Sequence, residues 1–256
     1  MNESITLHTF AMSPFAAKTH AFLLFKGLSF ECHYVNPLRL YSGGIPIGHM
    51  VPVLSIGDEH RADSTPIGMW LDERYDDRPT LVPDDDRERV LAHDRWVTER
   101  LIPNHFRTFP GVGVNRRRIR NAWRLAKVLH LTTAGGVPKP VRMIWPAVLW
   151  GLPFLQRERS NARQELDLDT ASNQVLDELV ELLDGGPFFG GRSTPAMGDL
   201  SAYAVLLTAE QAGLAGSNRV DAFPEIVSWM DRVGAHLAPS PPLIPRSVRT
   251  LPPIEA

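Results

Sequence analysis

The sequence predicts an α/β plus all-α protein, with a small α/β domain over residues 1–80 and a larger helical domain over residues 84–256. Three observations carry that prediction. Short β-type runs alternate with helical patterns only in the first 80 or so residues, apolar side chains recur at helical spacing almost everywhere after Asp84, and the two textures meet between Leu81 and Asp86. A chain of 256 residues, 43% hydrophobic and 22% charged, can bury a real core. Its net charge of −2 provides no overall field toward nucleic acid or anionic lipid.

The α/β half reads in order. Ile5-Thr6-Leu7-His8-Thr9 forms a strand, and Pro14 opens a helix in which Phe15, Phe22 and Phe25 recur at helical spacing before Gly27 stops it. Phe30 to Val35 is a second strand, so the unit is βαβ and its two strands are parallel. After a Gly- and Pro-rich stretch from Gly43 to Gly48, Val51 to Ile56, the Gly57-Asp58 turn and Glu59 to Ala62 predict a hairpin. Asp63-Ser64 then caps a helix that carries Ile67, Trp70, Leu71 and Arg74 on one face.

The second half reads as five main helices. Val90, Asp94, Val97 and Leu101 share a face of a long first one. Ile119, Trp123, Ala126 and His130 share a face of the second, with Arg116, Arg120, Arg124 and Lys127 opposite. Leu168 to Leu182, Leu200 to Leu207 and Ile226 to Leu237 mark the others, and a Pro-rich tail follows from Pro239. The basic stripe of the second helix reads as a solvated face, with an anionic substrate or a membrane surface as the alternative partner.

Composition narrows the chemistry. One cysteine excludes an intrachain disulfide, a cysteine zinc site and a CxxC redox pair, and it suits a reducing compartment, the cytoplasm. Cys32 lies in the second strand with Phe30 and Tyr34 on its own face, which argues for a buried, inert thiol. Nine histidines without an HExxH or similar pair predict no metal. No aromatic-and-basic module predicts a nucleic-acid partner. The N-terminus has no basic start followed by an apolar stretch, so no signal peptide is expected. The most apolar run, Met143 to Leu155, holds two prolines and is shorter than the ~20 residues a spanning helix needs, leaving peripheral membrane contact open.

Four ordered motifs resemble the glutathione transferases. Ser13-Pro14-Phe15 follows strand one, Val51-Pro52-Val53-Leu54 opens the third strand, and Asp63-Ser64-Thr65-Pro66-Ile67 opens the last helix of the α/β half. Pro187-Phe188-Phe189-Gly190-Gly191 with Pro195-Ala196-Met197-Gly198-Asp199 precedes a core helix. Val35-Asn36-Pro37, Leu101-Ile102-Pro103-Asn104 and Arg107-Thr108 are similar to the prostaglandin E synthase type 2 lineage, but Ser13 and Ala16 stand where that lineage has its CxxC pair. Serine-type transferases and bacterial lignin β-etherases fit that loop better. The segment from Arg116 to Phe154 resembles nothing in the family.

The resemblance implies a thioredoxin-like domain followed by a helical bundle, glutathione as cosubstrate, a hydrophobic electrophile as second substrate, and a homodimer. It implies a cis Val51–Pro52 bond that presents backbone to the cysteinyl part of glutathione. It implies that Asp63 and Ser64 meet the γ-glutamyl end, although both are ordinary caps. His49 and Met50 stand where the family meets the glycyl carboxylate, while a surface loop is the simpler reading of His49. Ser13 is implied as thiolate stabiliser, or else only as helix cap, with Thr9, Met12 and Tyr41 as substitutes. Ala196 stands where the family has a capping Ser or Thr, which leaves Asp199 alone to cap that helix. The same fold also serves binding proteins without turnover, glutathione-dependent isomerases and ether-cleaving enzymes.

Overall fold

The computed structural model describes residues 3–36, 44–110, 115–133, 135–161, 167–214, 220–239 and 243–244. Four strands form one sheet in the order β2-β1-β3-β4: β1 (Ile5–Thr9), β2 (Glu31–Tyr34), β3 (Val53–Ile56) and β4 (Glu59–Ala62). β1 runs parallel to β2, as a helical crossover requires, and antiparallel to β3, which pairs with β4 in the expected hairpin. Ile5, Leu7 and Thr9 point into the core while Thr6 and His8 face the other side, the alternation that a sheet with one well-packed face imposes. Gly27, at φ 64°, makes the left-handed turn that stops α1 (Pro14–Phe25) and returns the chain to β2.

Helix α1 is buried nearly all round, Lys18, Thr19 and His20 included, because it lies between the sheet, α2 (Ser64–Arg74) and α10 (Met197–Ala212). Its single-sided phenylalanine pattern therefore understates its burial. Two glycines permit the close packing. A Cβ at Gly68 of α2 would stand 2.4 Å from the Met197 methyl and 3.1 Å from the Phe22 ring, and one at Gly198 of α10 would stand 2.5 Å from His93 Cβ of α3 (Arg87–Trp96).

The connection between the two halves is anchored by its backbone. Asp72 pairs with the buried Lys26 ammonium at 2.8 Å and accepts the N–H groups of Leu81 and Val82, while the Leu81 carbonyl accepts the Met197 N–H at 2.8 Å. That last bond satisfies one of the free donors at the start of α10. Asp199 takes three more donors, from the N–H of Ala196 at 3.1 Å, the N–H of Phe189 at 2.9 Å and the Trp229 indole at 2.9 Å. Ala196 thus costs α10 its side-chain cap without leaving its N-terminus unsatisfied.

The expected long helix after Asp84 is divided into α3, a wide π-type turn at Val97–Leu101, and α4 (Ile102–Phe106). Pro103 explains the division, since it has no N–H for an i to i−4 bond and its ring crowds the preceding turn. The predicted face nevertheless points inward, with Val90, Asp94, Val97 and Leu101 all buried.

Helix α5 (Arg116–Thr132) corrects the expected orientation. Arg124 turns in and donates to the Ala212 carbonyl at 2.9 Å, at the negative C-terminal end of α10, and Asn121 donates to the Thr108 carbonyl at 2.9 Å. Trp123, expected on the apolar inner face, is instead half-exposed on the outside. Short helices α6 (Lys139–Met143), α7 (Trp145–Gly151) and α8 (Pro153–Asn161) follow, then α9 (Leu168–Leu182), α10 and α11 (Pro224–Ala235). No helix among the described residues is long and apolar enough to cross a membrane.

Candidate active site

Strand register brings the predicted site residues to one edge of the sheet. His8 lies opposite Val53, Thr9 opposite Tyr34, and Val53 opposite Ala62. The C-terminal ends of β1 and β4 and the N-terminal end of β3 therefore share that edge. From it leave the loop to Ser13, the approach through Val51–Pro52, and the step into Asp63–Ser64. Helices α1 and α2 both begin there, and each brings free N–H groups and the partial positive charge of its dipole.

Ser13 is the N-cap of α1, with φ −76° and ψ 115°, and its Oγ accepts the Ala16 N–H at 3.2 Å. The capping role is therefore present. It uses only one lone pair, and the Ser13 hydroxyl hydrogen donates to no acceptor among the described residues. The substitutes fare differently. The Thr9 hydroxyl already donates to the Phe10 carbonyl at 2.9 Å, Met12 has no donor, and Tyr41 lies outside the described residues.

The Val51–Pro52 peptide is cis, as the resemblance implies. The Pro52 carbonyl accepts the Asp63 N–H at 3.3 Å, which ties the second and third segments together. Asp63 occupies the N-cap position of α2 at φ 72° and ψ 132° and makes no side-chain capping bond, so Ser64 is the first helical residue instead of a cap. A non-glycine residue held there costs roughly 1–3 kcal/mol, a strain commonly found at ligand clamps. Ser64 is 1% exposed and Ser13 8% exposed, whereas His49 and Met50 stand exposed at the lip, just before Val51. A ligand that reaches Ser64 must displace the side chains that cover it.

Cys32 is half-buried, and burial pushes its thiol up to about 11, so it remains protonated at neutral pH. Among the described residues no group of three or more His, Cys, Asp or Glu is placed to hold a metal ion. Sequence reasoning missed a histidine cluster on the outer sheet face. His8 Nε2 meets Ser55 Oγ at 3.0 Å, Ser55 Oγ meets His60 Nδ1 at 2.9 Å, and the His33 ring lies 5.2 Å from that of His8. Burial first, then His33 and His60, lower the His8 pKa to about 4. The signal was the in-strand alternation, which puts His8 on the face away from Leu7, but cross-strand register is needed to bring the others beside it.

Comparison with known proteins agrees with this geometry. Residues 7–79 match the family model "Glutathione S-transferase, N-terminal domain". No curated protein sequence matches the chain. Among solved structures, glutathione transferase GSTFuA3 from Phanerochaete chrysosporium is similar at TM-score 0.64 and 16% identity, over 94% of this chain and 100% of that one. Beta-etherase LigF from Sphingobium sp. strain SYK-6 is similar at TM-score 0.61 and 20% identity, over 91% and 95%. Human glutathione transferase theta-2, in complex with glutathione, is similar at TM-score 0.59 and 20% identity, over 92% and 83%. The sheet-bearing part is thus similar in sequence to the N-terminal domain of glutathione S-transferases, and nearly the whole chain shares its fold with these solved structures.

Proposed function

We propose that the protein is a glutathione S-transferase that holds glutathione as its thiolate for attack on a hydrophobic electrophile. The observation that carries this reading is the convergence of Ser13, Val51–Pro52 and Asp63–Ser64 with two helix N-termini at one sheet edge. Glutathione is extended and anionic at three points, and each finds a counterpart. The N-terminus of α2 with the Ser64 hydroxyl receives the γ-glutamyl carboxylate, and the uncommitted Asp63 carboxylate faces the adjacent ammonium. The backbone of Val51 pairs with the cysteinyl residue as an added strand would, and His49 and Met50 border the glycyl end.

The chemical problem is the thiol. With a pKa of ~8.5 it is only a few per cent ionised at pH 7, and the thiolate is the nucleophile. The Ser13 hydroxyl, its acceptor side engaged by Ala16, donates its hydrogen to the sulfur, and the α1 dipole adds a favourable positive end. Sulfur then attacks the electrophilic carbon, a C–S bond forms, and the leaving group departs with its electron pair. Ser13 is neither nucleophile nor base here. By the family resemblance the chain acts in the cytoplasm as a homodimer.

Replacing Ser64 with Ala tests the binding half. Loss of a hydrogen bond to a carboxylate weakens affinity by about 1–3 kcal/mol, roughly 5- to 150-fold. Titration calorimetry with glutathione reads it directly, and an unchanged affinity would remove α2 from the site.

A further inference from the structure

Helix α7, Trp145-Pro-Ala-Val-Leu-Trp-Gly151, has no polar side chain but lies at the surface. Trp145 and Leu149 anchor it in the core. Its other face stays outside at Ala147 and Trp150, the latter 46% exposed, and is continued by Met143 of α6 at 67%, by Ile144 between the two helices at 60%, and by the exposed Leu152 after α7. A helix that is apolar all round belongs in an interior or against an apolar phase, and half of this one has neither. Trp123 of α5 extends the patch, since its indole donates to the Met143 carbonyl at 3.3 Å and half of its surface is exposed.

The segment that builds this patch carries charge of one sign. Residues 115–157 contain nine Lys and Arg and no Asp or Glu, in a chain whose net charge is −2. Two of the arginines are drawn inward, Arg118 to the Arg107 carbonyl and Arg124 to the Ala212 carbonyl, while Arg117 pairs at the surface with Asp169. Arg116 and Lys127 remain exposed along the same helical stripe as Trp123, and Lys139 is exposed at the start of α6. The basic stripe therefore does not lie opposite the tryptophan, as a simple amphipathic wheel suggests. It surrounds it.

Exposed tryptophans and aliphatics ringed by cations are what the boundary of an anionic bilayer accepts. A second copy on a two-fold axis would set this patch against itself and bring its exposed cations against like charge. We infer that the α5–α7 face docks on membranes rich in anionic phospholipid, with Trp123, Met143, Ile144 and Trp150 entering the headgroup boundary. This docking is independent of the glutathione edge.

The test is sedimentation of the full chain with phosphatidylcholine vesicles, with and without phosphatidylserine. The protein should pellet with phosphatidylserine vesicles at low salt and leave them at high salt, because exposed attraction is screened within a Debye length of ~8 Å at physiological ionic strength. Lys127→Ala with Lys139→Ala should lower partitioning roughly 25-fold, at about fivefold per cation. Trp150→Ser should lower it as well and reduce the blue shift of tryptophan fluorescence that binding produces. All three side chains are exposed, so circular dichroism should show the variants folded. Protein that stays in the supernatant at low salt would overturn the proposal. So would binding indifferent to phosphatidylserine, or a wild-type dimer that Met143→Glu dissociates without any vesicle binding.

Discussion

Lys18 of α1 is fully buried, and its ammonium meets Asp94 Oδ1 at 2.8 Å and Thr98 Oγ1 at 3.0 Å. The other demands on Asp94 come from Thr65 of α2 and Ser201 of α10, each donating a hydroxyl at 2.5 Å. One carboxylate thus holds four helices in register, including the helix that Ser13 caps. Asp94→Ala would strand the ammonium on a single threonine and leave two buried hydroxyls without their acceptor. Breaking one side of a buried pair in this way costs about 3–5 kcal/mol. For a chain of this size each kcal/mol is ~2–4 °C in Tm, so the midpoint should fall by roughly 6–20 °C. Lys18→Met should also destabilise, because it leaves the carboxylate buried without its cation. Lys18→Met combined with Asp94→Ala removes both charges, so its loss should be smaller than the sum of the two singles by about 1–3 kcal/mol. Urea unfolding followed by tryptophan fluorescence reads all four proteins. A loss below about 0.5 kcal/mol for Asp94→Ala, or strict additivity in the double variant, would show that this network does not hold the helices together.

Acid stability should depend on His105, which lies buried in α4 near the Phe106 and Phe109 rings and whose pKa burial lowers to about 4. The folded chain refuses a proton that the unfolded chain accepts near ~6.5, so this contribution is complete above that pH and is lost as pH falls toward 4. It amounts to about 3 kcal/mol, and the partly buried His8 acts in the same direction. His105→Leu should flatten the stability curve between pH 7 and 4, and a curve with the wild-type slope would refute the assignment. Gly198→Ala should cost about 1–3 kcal/mol by overpacking, because its new Cβ would meet His93 Cβ at 2.5 Å. An unchanged urea midpoint for that variant would show that α3 and α10 separate freely.

Much of the fold could be read from local pattern. Alternation in Ile5 to Thr9, the Gly57-Asp58 turn and the Pro14 and Gly27 signals placed the sheet and α1, because each depends only on neighbours in sequence. Asp94 on an otherwise apolar face announced a need for a partner, but Ser201 lies 107 residues away and no local pattern names it. Helix α5 was misoriented for the same reason. Arg124 is turned inward by a carbonyl 88 residues further on, so the apparent stripe of charge was not the solvent face. Pro103 divides the helix that the apolar pattern reads as one, and the chain absorbs it as a wide turn. At the site, Ser13, Val51–Pro52 and Asp63 were legible as motifs at strand and helix ends. Their meeting at one edge comes from strand register, and the burial of Ser64 comes from packing that sequence does not display.

The most direct test of the account is the ionisation of bound glutathione, followed by thiolate absorbance against pH in the wild-type protein and in Ser13→Ala. In the wild type the midpoint should lie below the ~8.5 of a free thiol, and removal of the Ser13 donor should raise it by about 1–2 units, the equivalent of a hydrogen bond to a charged group. Turnover at pH 7 should fall with it. Loss of the α1 cap alone would lower stability by about 1 kcal/mol and leave the midpoint where it was. A wild-type midpoint near that of free glutathione, or one that Ser13→Ala does not move while turnover persists, would contradict the claim that this hydroxyl holds the thiolate.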